Sequence, residues 1–257
     1  MDRRNVDLPA TIFVGLVIVP LVAQIVGRLT DPWHGAYKTI FETEMGFIEL
    51  ATAALLFACT ILLAQEARRL FRRGERANGW LAAILSFGTF FVMGEEISWG
   101  QWFFHWDSPE WFLEHNDQGE TNLHNLVFVK KDIPKWFVVI GIAVFGVAMP
   151  LMATARSGRF GPIDRKMLPT AVCIPVGIVV VVSHLMVKLL WWFGGIELAR
   201  TIGINVREAT EFYIALFGLI YTLSLRVRLA ALDRVPVTMA PFARDGEESP
   251  RATGKSV

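Results

Sequence analysis

The chain has 257 residues, of which 53% are hydrophobic and only 19% are charged, and its formal net charge is +1. Soluble domains contain about 45–50% apolar and about 25% charged residues, and here the charges cluster between long uncharged runs. This pattern excludes an ordinary water-soluble domain and is typical of a multi-span membrane protein. Nothing in the distribution of charge favours nucleic-acid binding.

Six runs are long and apolar enough to cross a bilayer, which requires about 20 residues of helix. In chain order they are Ala10–Gly27, Met45–Ala64, Gly79–Phe104, Lys135–Ala153, Thr170–Phe193 and Ile202–Leu225. They predict an all-α polytopic helix bundle over residues 1–228, followed by a polar, disordered cytoplasmic tail over 229–257. The first run is longer than the core of a signal peptide and lacks a clear cleavage site, so we expect it to be retained. Pro20 and Pro175 lie inside runs and are expected to kink them.

Basic residues fall on one side of this arrangement. The runs 68–76 and 156–166 are rich in arginine, and Arg3, Arg4, Arg226 and Arg228 flank the first and last spans. Because basic loops stay on the cytoplasmic side, we predict a multi-pass protein of the plasma (inner) membrane with both termini cytoplasmic. The first basic run is also expected to contact anionic lipid.

Ionisable residues concentrate in the predicted outer halves of the spans. In "GEEISWGQWFFHW" (94–106), Glu95 and Glu96 interrupt an apolar run, and Ser98, Gln101 and His105 are predicted to continue a polar stripe on the same helical face. An ionisable side chain deep in a span costs about 2.5–3.5 kcal/mol. We therefore expect these groups to face one another, or a wet cavity open to the extracytoplasmic side.

Two other spans carry paired ionisable residues at helical spacing. His184 and Lys188 share a face of the fifth span, and Glu208 and Glu211 share a face of the sixth. Both pairs lie in the outer half under the predicted topology, so the same cavity is their expected destination.

The loop after the third span has two recognisable parts. "DSPEWFLEH" predicts a short outer interfacial helix, with Asp107 or Ser108 as N-cap and Pro109 in the first turn. "NDQGETNLHNL" (116–126) is dense in polar side chains, and Gly119 suits a tight turn. In the second part, Glu120, Asn122, His124 and Asn125 are expected to line the mouth of the cavity.

The stretches "GEEISWGQ" and "NDQGETNLHNL" resemble a signature of uncharacterised multi-span bacterial membrane proteins, over about thirty residues. That resemblance implies no activity. The residue types of Ser98, His105, His124 and His184 are also loosely similar to the zinc-dependent membrane hydrolases of the alkaline ceramidase superfamily. That family has two histidines one turn apart on a late span, where this chain has His184 and Lys188, so the similarity is an analogy only.

The leading functional hypothesis is a metal-dependent enzyme acting on a lipid or isoprenoid. A divalent zinc, manganese or iron ion suits carboxylate and imidazole ligands and would activate water or polarise a headgroup. The expected metal ligands are Glu95, His124, His184, Glu208 and Glu211, and the expected catalytic residues are Glu95, Glu96, His124 and Lys188. The expected partner is membrane lipid.

Other interpretations stay open. A proton- or ion-coupled transporter would use the same acids, and a non-catalytic lipid-binding scaffold would need none of them for chemistry. Glu95 and Glu96 could be helix-end acids that reach water, and His124 could be an exposed loop residue. His184 and Lys188 could form structural ion pairs with Glu208 or Glu211. The chain has no H-E-x-x-H, G-x-S-x-G, phosphate-loop or C-x-x-C motif.

Overall fold

The computed structural model describes residues 22, 46–126, 132–152, 159–160, 163–202 and 206–233. Helices make up most of this part of the chain, which also contains one two-residue β pairing. Five of its segments are long and apolar enough to span a membrane: Phe47–Arg72, Arg76–Glu96, Lys135–Met152, Arg165–Met186 and Ala209–Asp233. They correspond to the second to sixth predicted spans. The first predicted span, Ala10–Gly27, lies outside the described residues except for residue 22.

The elements follow in this order: α1 (Phe47–Arg72), α2 (Arg76–Glu96), α3 (Gln101–Phe104), α4 (Glu110–His115), α5 (Asp132–Gly141), α6 (Met149–Met152), β1 (Arg159–Phe160), β2 (Ile163–Asp164), α7 (Ile174–Ile202) and α8 (Val206–Asp233). A π-helical segment, Ile142–Ala148, joins α5 and α6 into one continuous span. The two strands pair antiparallel. Single 3-10 turns lie at Ser98–Gly100, Arg165–Met167 and Ala171–Cys173.

The packing centres on α8, which lies against both α1 and α7, while α1 and α2 form an extensive helical hairpin. Hydrocarbon offers no hydrophobic drive between helices, so close fit and hydrogen bonds must hold such a bundle. The phenyl ring of Phe217 sits so close to Gly146 that a Cβ there would lie 2.5 Å from it. The Tyr221 hydroxyl donates to the Met167 carbonyl at 2.7 Å. Small residues and buried hydroxyls thus fix how the spans meet.

Ion pairs tie the chain together at one end of the bundle, which we call the basic end. Arg69, near the end of α1, donates to Glu66 at 3.2 Å and pairs with Asp233 in the last turn of α8. Arg73 pairs with the same aspartate. These contacts bring the first basic run and the end of the last span to one face, as the four described spans that follow the end of α1 require.

The β2 segment and the start of α2 meet at the same end. Lys166 contacts Glu75 at 2.6 Å and Asp164 at 3.4 Å, and Asn78 donates to Glu75 at 2.8 Å. Partial burial raises the pKa of Glu75, but the bonds from Lys166 and Asn78 outweigh it, so the pKa is lowered overall. Glu75 is therefore held as an anion that links two loops.

Several boundaries differ from the sequence-based predictions. The third span ends as a helix at Glu96 rather than continuing to Phe104. Pro175 lies in the first turn of α7, where a missing N–H costs nothing, rather than in a kinked interior. α8 continues to Asp233, past the predicted start of the tail at residue 229, and 234–257 lie outside the described residues.

Candidate functional site

The site begins where α2 stops. Ser98, Trp99 and Gly100 all adopt positive φ, of 45°, 54° and 85°, and His105 adopts 52°. For non-glycine residues this conformation costs about 1–3 kcal/mol each and persists only when the surroundings impose it. The predicted helical stripe of Ser98, Gln101 and His105 beside Glu95 is therefore wrong. The chain turns instead, because partners in the following loop hold it there.

Trp99 folds back over the end of α2. Its indole ring lies against Gly94, where an added Cβ would come within 2.8 Å of it, and its Nε1 donates to Glu95 Oε1 at 2.8 Å. The absence of a side chain at Gly94 is thus a condition for the turn. The reversal places the Glu95 carboxylate at the junction of the helix and the loop.

Glu95 is buried, with 5% of its surface exposed, and it anchors the loop. Its Oε2 accepts the backbone N–H groups of Leu123 at 2.7 Å and His124 at 3.0 Å. The two backbone N–H groups and the Trp99 indole N–H are all hydrogen-bond donors. The arrangement therefore suits an ionised carboxylate, which can only accept hydrogen bonds. One buried acid fastens a loop that lies 28 and 29 residues further along the chain.

His124 completes the pair. Its Nδ1 lies 3.4 Å from Glu95 Oε2, and its side chain is 47% exposed while that of Glu95 is 7% exposed. A carboxylate beside one ring nitrogen orients the imidazole and stabilises its protonated form. The arrangement is therefore a buried acid behind a half-exposed imidazole.

A second buried carboxylate, that of Glu120, connects the loop to the segment that follows α2. Its Oε2 accepts the Ser98 hydroxyl at 2.6 Å and the Asn122 amide at 2.8 Å, and its Oε1 accepts the Trp102 indole N–H at 3.1 Å. Asn122 also donates to the Ser98 hydroxyl oxygen at 2.9 Å. Ser98 is 2% exposed and fully engaged, which suits a structural role and not that of an accessible nucleophile.

Asn116 closes the loop on itself. Its amide donates to Asn122, at 3.0 Å to the backbone carbonyl and 2.9 Å to Oδ1, and its own Oδ1 accepts the N–H of Gln118 at 2.9 Å. Asn116 also forms an isolated bridge with Leu126. These bonds tie the two ends of 116–126 together.

A third group attaches the loop to the segment after α2. The Thr121 N–H donates to Gln101 Oε1 at 3.0 Å, and the Gln101 amide donates to the Ser108 hydroxyl at 2.9 Å. Ser108 therefore does not cap α4, whose N-cap position is Pro109, without a capping side chain. The predicted N-cap is wrong because the serine is engaged here. Satisfied polar networks of this kind rigidify a site.

Large apolar side chains are exposed around this network. Trp102 is 42% exposed, Phe103 52%, Phe104 80%, Trp111 48% and Leu113 59%. We call these five residues the aromatic rim. Such residues suit the boundary between lipid and water.

Two other predicted site residues, Glu211 and His184, each contact a residue at the start of the third described span. Lys135 pairs with Glu211, with side-chain exposures of 19% and 23%. His184 is 3% exposed, and its ring stands edge-on to Trp136 with centroids 4.4 Å apart. The sequence analysis allowed an ion pair of Glu211 with His184 or Lys188, whereas Glu211 pairs with Lys135 at the start of the fourth predicted span.

Of the seven predicted catalytic and metal-binding residues, the structure brings Glu95 and His124 into contact. Glu96 and Lys188 are partly exposed on α2 and α7, and the side chain of Glu208 is outside the described part. Sequence reasoning missed the indole donors of Trp99 and Trp102, to which it gave no role. Their signal was their position, four and seven residues after a buried acid.

Among the described residues, no three histidine, cysteine, aspartate or glutamate side chains lie close enough to hold a metal ion together. The metal set of Glu95, His124, His184, Glu208 and Glu211 therefore stays a prediction. What is established is a helical protein with five segments apolar enough for a multi-pass membrane protein. No family model matches the chain, and no curated protein or solved structure matches it either.

Proposed function

We propose that this protein is an enzyme of the membrane surface in which His124 performs acid–base chemistry on the polar headgroup of a lipid or isoprenoid. The observation that carries the proposal is the contact between the His124 ring and the buried Glu95 carboxylate, at 3.4 Å. General acid–base catalysis needs an imidazole whose orientation is fixed and whose other edge reaches substrate. The 47% exposure of the His124 side chain supports that second condition.

Glu95 acts through His124 rather than on substrate. It is buried beneath the loop and holds both the backbone and the ring of His124. A buried carboxylate behind an imidazole fixes the tautomer and stabilises the imidazolium formed when a proton is taken up. Its role is therefore positioning, while His124 is the group that exchanges the proton.

The aromatic rim supports an amphiphilic substrate. Exposed tryptophan and phenylalanine side chains anchor in the headgroup region of a bilayer, and Phe104 and Trp111 belong to the same loop system as the network that holds His124. A substrate that stays in the membrane would present its headgroup at this depth. The predicted topology places that surface on the extracytoplasmic side, and Glu96 and Lys188 remain candidates for further headgroup contacts.

The test is a comparison of lipid products. Purified protein in nanodiscs made from a bacterial total lipid extract, with added isoprenoid phosphates, is incubated and the lipids are compared by mass spectrometry with protein-free nanodiscs. We expect at least one lipid to be converted by the wild type and not by His124→Asn. His115→Asn is the matched control, because His115, the last residue of α4, has a similar side-chain exposure of 41% and lies beside an exposed acid, Glu114.

The outcome that refutes the proposal is conversion by His124→Asn at the wild-type rate, or an identical lipid profile for wild type and protein-free nanodiscs. Loss of conversion in His115→Asn as well would point to damage to the loop and not to His124 chemistry.

Metal dependence is a separate part of the proposal with its own measurement. Elemental analysis of wild type should give a stoichiometric divalent metal that falls in Glu95→Gln combined with His184→Ala. If the wild type contains no metal above background, or the variant retains its metal unchanged, the metal part of the proposal is wrong and His124 acts without a metal ion.

The scaffold alternative is favoured by a specific observation, namely that the Glu95 and Glu120 carboxylates are hydrogen-bonded within the protein. A non-catalytic lipid-binding protein would need the rim and the rigid loop but not the His124 ring. A transporter would need polar groups continuing towards the basic end. In the described spans, the hydroxyls of Thr60 and Ser86 are instead bonded to backbone carbonyls.

A further inference from the structure

A groove of about 400 Å³ opens between α1 and α2, towards the basic end of the bundle. Thr60, Ala64 and Arg68 line it on α1, and Ala83, Ser86 and Phe87 line it on α2. The short side chains of the two alanines leave the space, and Phe87, 68% exposed, forms one wall. In the described part of the chain, none of the residues that line the groove hydrogen-bonds to the network around His124, although Phe90 packs edge-on against Trp99.

The hydroxyl groups that line the groove are already hydrogen-bonded within the protein. The Ser86 hydroxyl donates to the Thr60 carbonyl at 2.8 Å, and the Thr60 hydroxyl donates to the Leu56 carbonyl at 2.9 Å. The surface they leave is therefore apolar. In a membrane, its complement is a hydrocarbon chain.

The length of the groove fits one leaflet. From Thr60 to Arg68 the helix rises eight residues, or about 12 Å, and half of a hydrocarbon core of about 30 Å is about 15 Å. An acyl chain running along it would bring its headgroup to Arg68. The edge-to-face pair of Phe71 and Trp80, with centroids 5.5 Å apart, lies at the same level and suits the interface.

The charge at this end selects the headgroup. Arg69 and Arg73 contact Asp233, whereas Arg68 and Arg72 are exposed and contact no carboxylate among the described residues. Of the two exposed arginines, Arg68 also lines the groove. A guanidinium without a protein carboxylate is suited to a lipid phosphate.

We propose that this groove binds one anionic phospholipid, with an acyl chain between α1 and α2 and its phosphate on Arg68. The groove lies along the middle of α2, from Ala83 to Phe90, and none of its lining residues is among the proposed catalytic residues, so the proposal goes beyond the proposed enzyme function and stands without it. The attraction of the whole basic end for anionic lipid is non-specific. In addition to this non-specific attraction, the groove provides a defined position for one acyl chain.

The experiment is native mass spectrometry of the full chain released from nanodiscs that contain phosphatidylglycerol and phosphatidylcholine in equal amounts. We expect one phosphatidylglycerol retained per wild-type chain, in preference to phosphatidylcholine. Arg68→Gln should lower its apparent affinity about fivefold, the factor for about 1 kcal/mol per basic residue. Ala64→Phe should abolish retention with every charge intact, because it fills the groove.

Matched controls separate the groove from general attraction. Arg72→Gln removes an exposed arginine that does not line the groove, and Ala54→Phe adds the same ring at an exposed position of α1 away from it. Both should retain the lipid, and inorganic phosphate should not displace it. If Ala64→Phe is poorly folded, Ala83→Phe fills the groove from the other helix.

Three results would overturn the proposal. Retention could be unchanged in both groove-filling variants, Arg68→Gln could lose no more than Arg72→Gln, or phosphatidylcholine could be retained equally. A fourth result that would overturn it is a cross-link between Ala64→Cys and a cysteine introduced within residues 10–27, because the first predicted span would then occupy the groove.

Discussion

Replacing Glu95 by glutamine tests the centre of the site, because it removes one charge with almost no change in shape. Glutamine keeps one carbonyl oxygen and gains an NH2 group. If the oxygen faces the Leu123 and His124 N–H groups, the new NH2 group faces the Trp99 indole N–H, so two donors meet and the bond at 2.8 Å is lost.

The magnitude follows from the bonds involved. A hydrogen bond to a charged group contributes about 1.5–3 kcal/mol and a neutral one about 0.5–1.5 kcal/mol. Loss of the Trp99 bond and weakening of the bonds to Leu123 and His124 together come to about 3 kcal/mol after some relaxation. Since 1.4 kcal/mol is a factor of ten, local opening of the loop should become about a hundredfold more frequent.

Hydrogen exchange of the protein in detergent measures this opening directly. In Glu95→Gln we expect the amides of Leu123 and His124 to exchange about a hundredfold faster, while peptides from the core of α1 and α8 are unchanged. Glu114→Gln is the control, because the Glu114 side chain is 65% exposed. Exchange at Leu123 and His124 within about twofold of wild type would refute the assignment of Glu95 as the anchor of the loop.

Three other predictions concern stability measured by thermal unfolding in detergent. Lys135→Met should lower the free energy of unfolding by about 2 kcal/mol, which is less than the about 3–5 kcal/mol lost when one partner of a fully buried ion pair is removed. Adding Glu211→Leu should recover most of that loss, and no recovery would contradict the ion pair as its cause. Gly94→Ala should cost about 1–3 kcal/mol because an indole occupies the space, whereas Gly88→Ala, with nothing within 4 Å, should cost nothing; equal effects would be inconsistent with this packing. Because the pKa of Glu75 is lowered on folding, the ionised carboxylate should contribute fully to stability at neutral pH. This contribution should disappear as the pH falls below the ordinary glutamate pKa of about 4.3, and Glu75→Gln should flatten that part of the curve of stability against pH.

The spans were predictable from the sequence because the bilayer imposes one simple condition, a run of about 20 apolar residues. All five described segments meet it. The gathering of basic residues at one end was predictable for the same reason, since the loops alternate between two sides. The cost of leaving an acid unpaired in an apolar run led us to expect Glu95 and His124 in one polar site, as metal ligands and not as a contacting pair.

The end of α2 at Glu96 could not be read from the sequence. The run "SWGQWFFHW" is apolar and aromatic enough to continue a helix, and only Gly100 hints at a break. The turn is imposed by Glu120 and Asn122, which bond to Ser98 from 22 and 24 residues away. Tertiary partners of this kind override local propensity. The ion pair of Lys135 with Glu211 was missed similarly, because both lie at ends whose relative placement depends on packing.

The position of Glu95 weakens the argument that this acid itself needs a functional explanation, and it strengthens the argument that His124 does. A carboxylate deep in a span would need a functional reason, but this one lies one residue from the end of its helix and accepts the N–H groups of Trp99, Leu123 and His124. Closing the loop is reason enough for an acid there. The ring of His124 is different, because the loop is held through its backbone N–H and the half-exposed imidazole adds little to that attachment. A protein that only needs the loop should tolerate His124→Asn but not Glu95→Gln, and an enzyme should lose activity in both while only Glu95→Gln opens the loop.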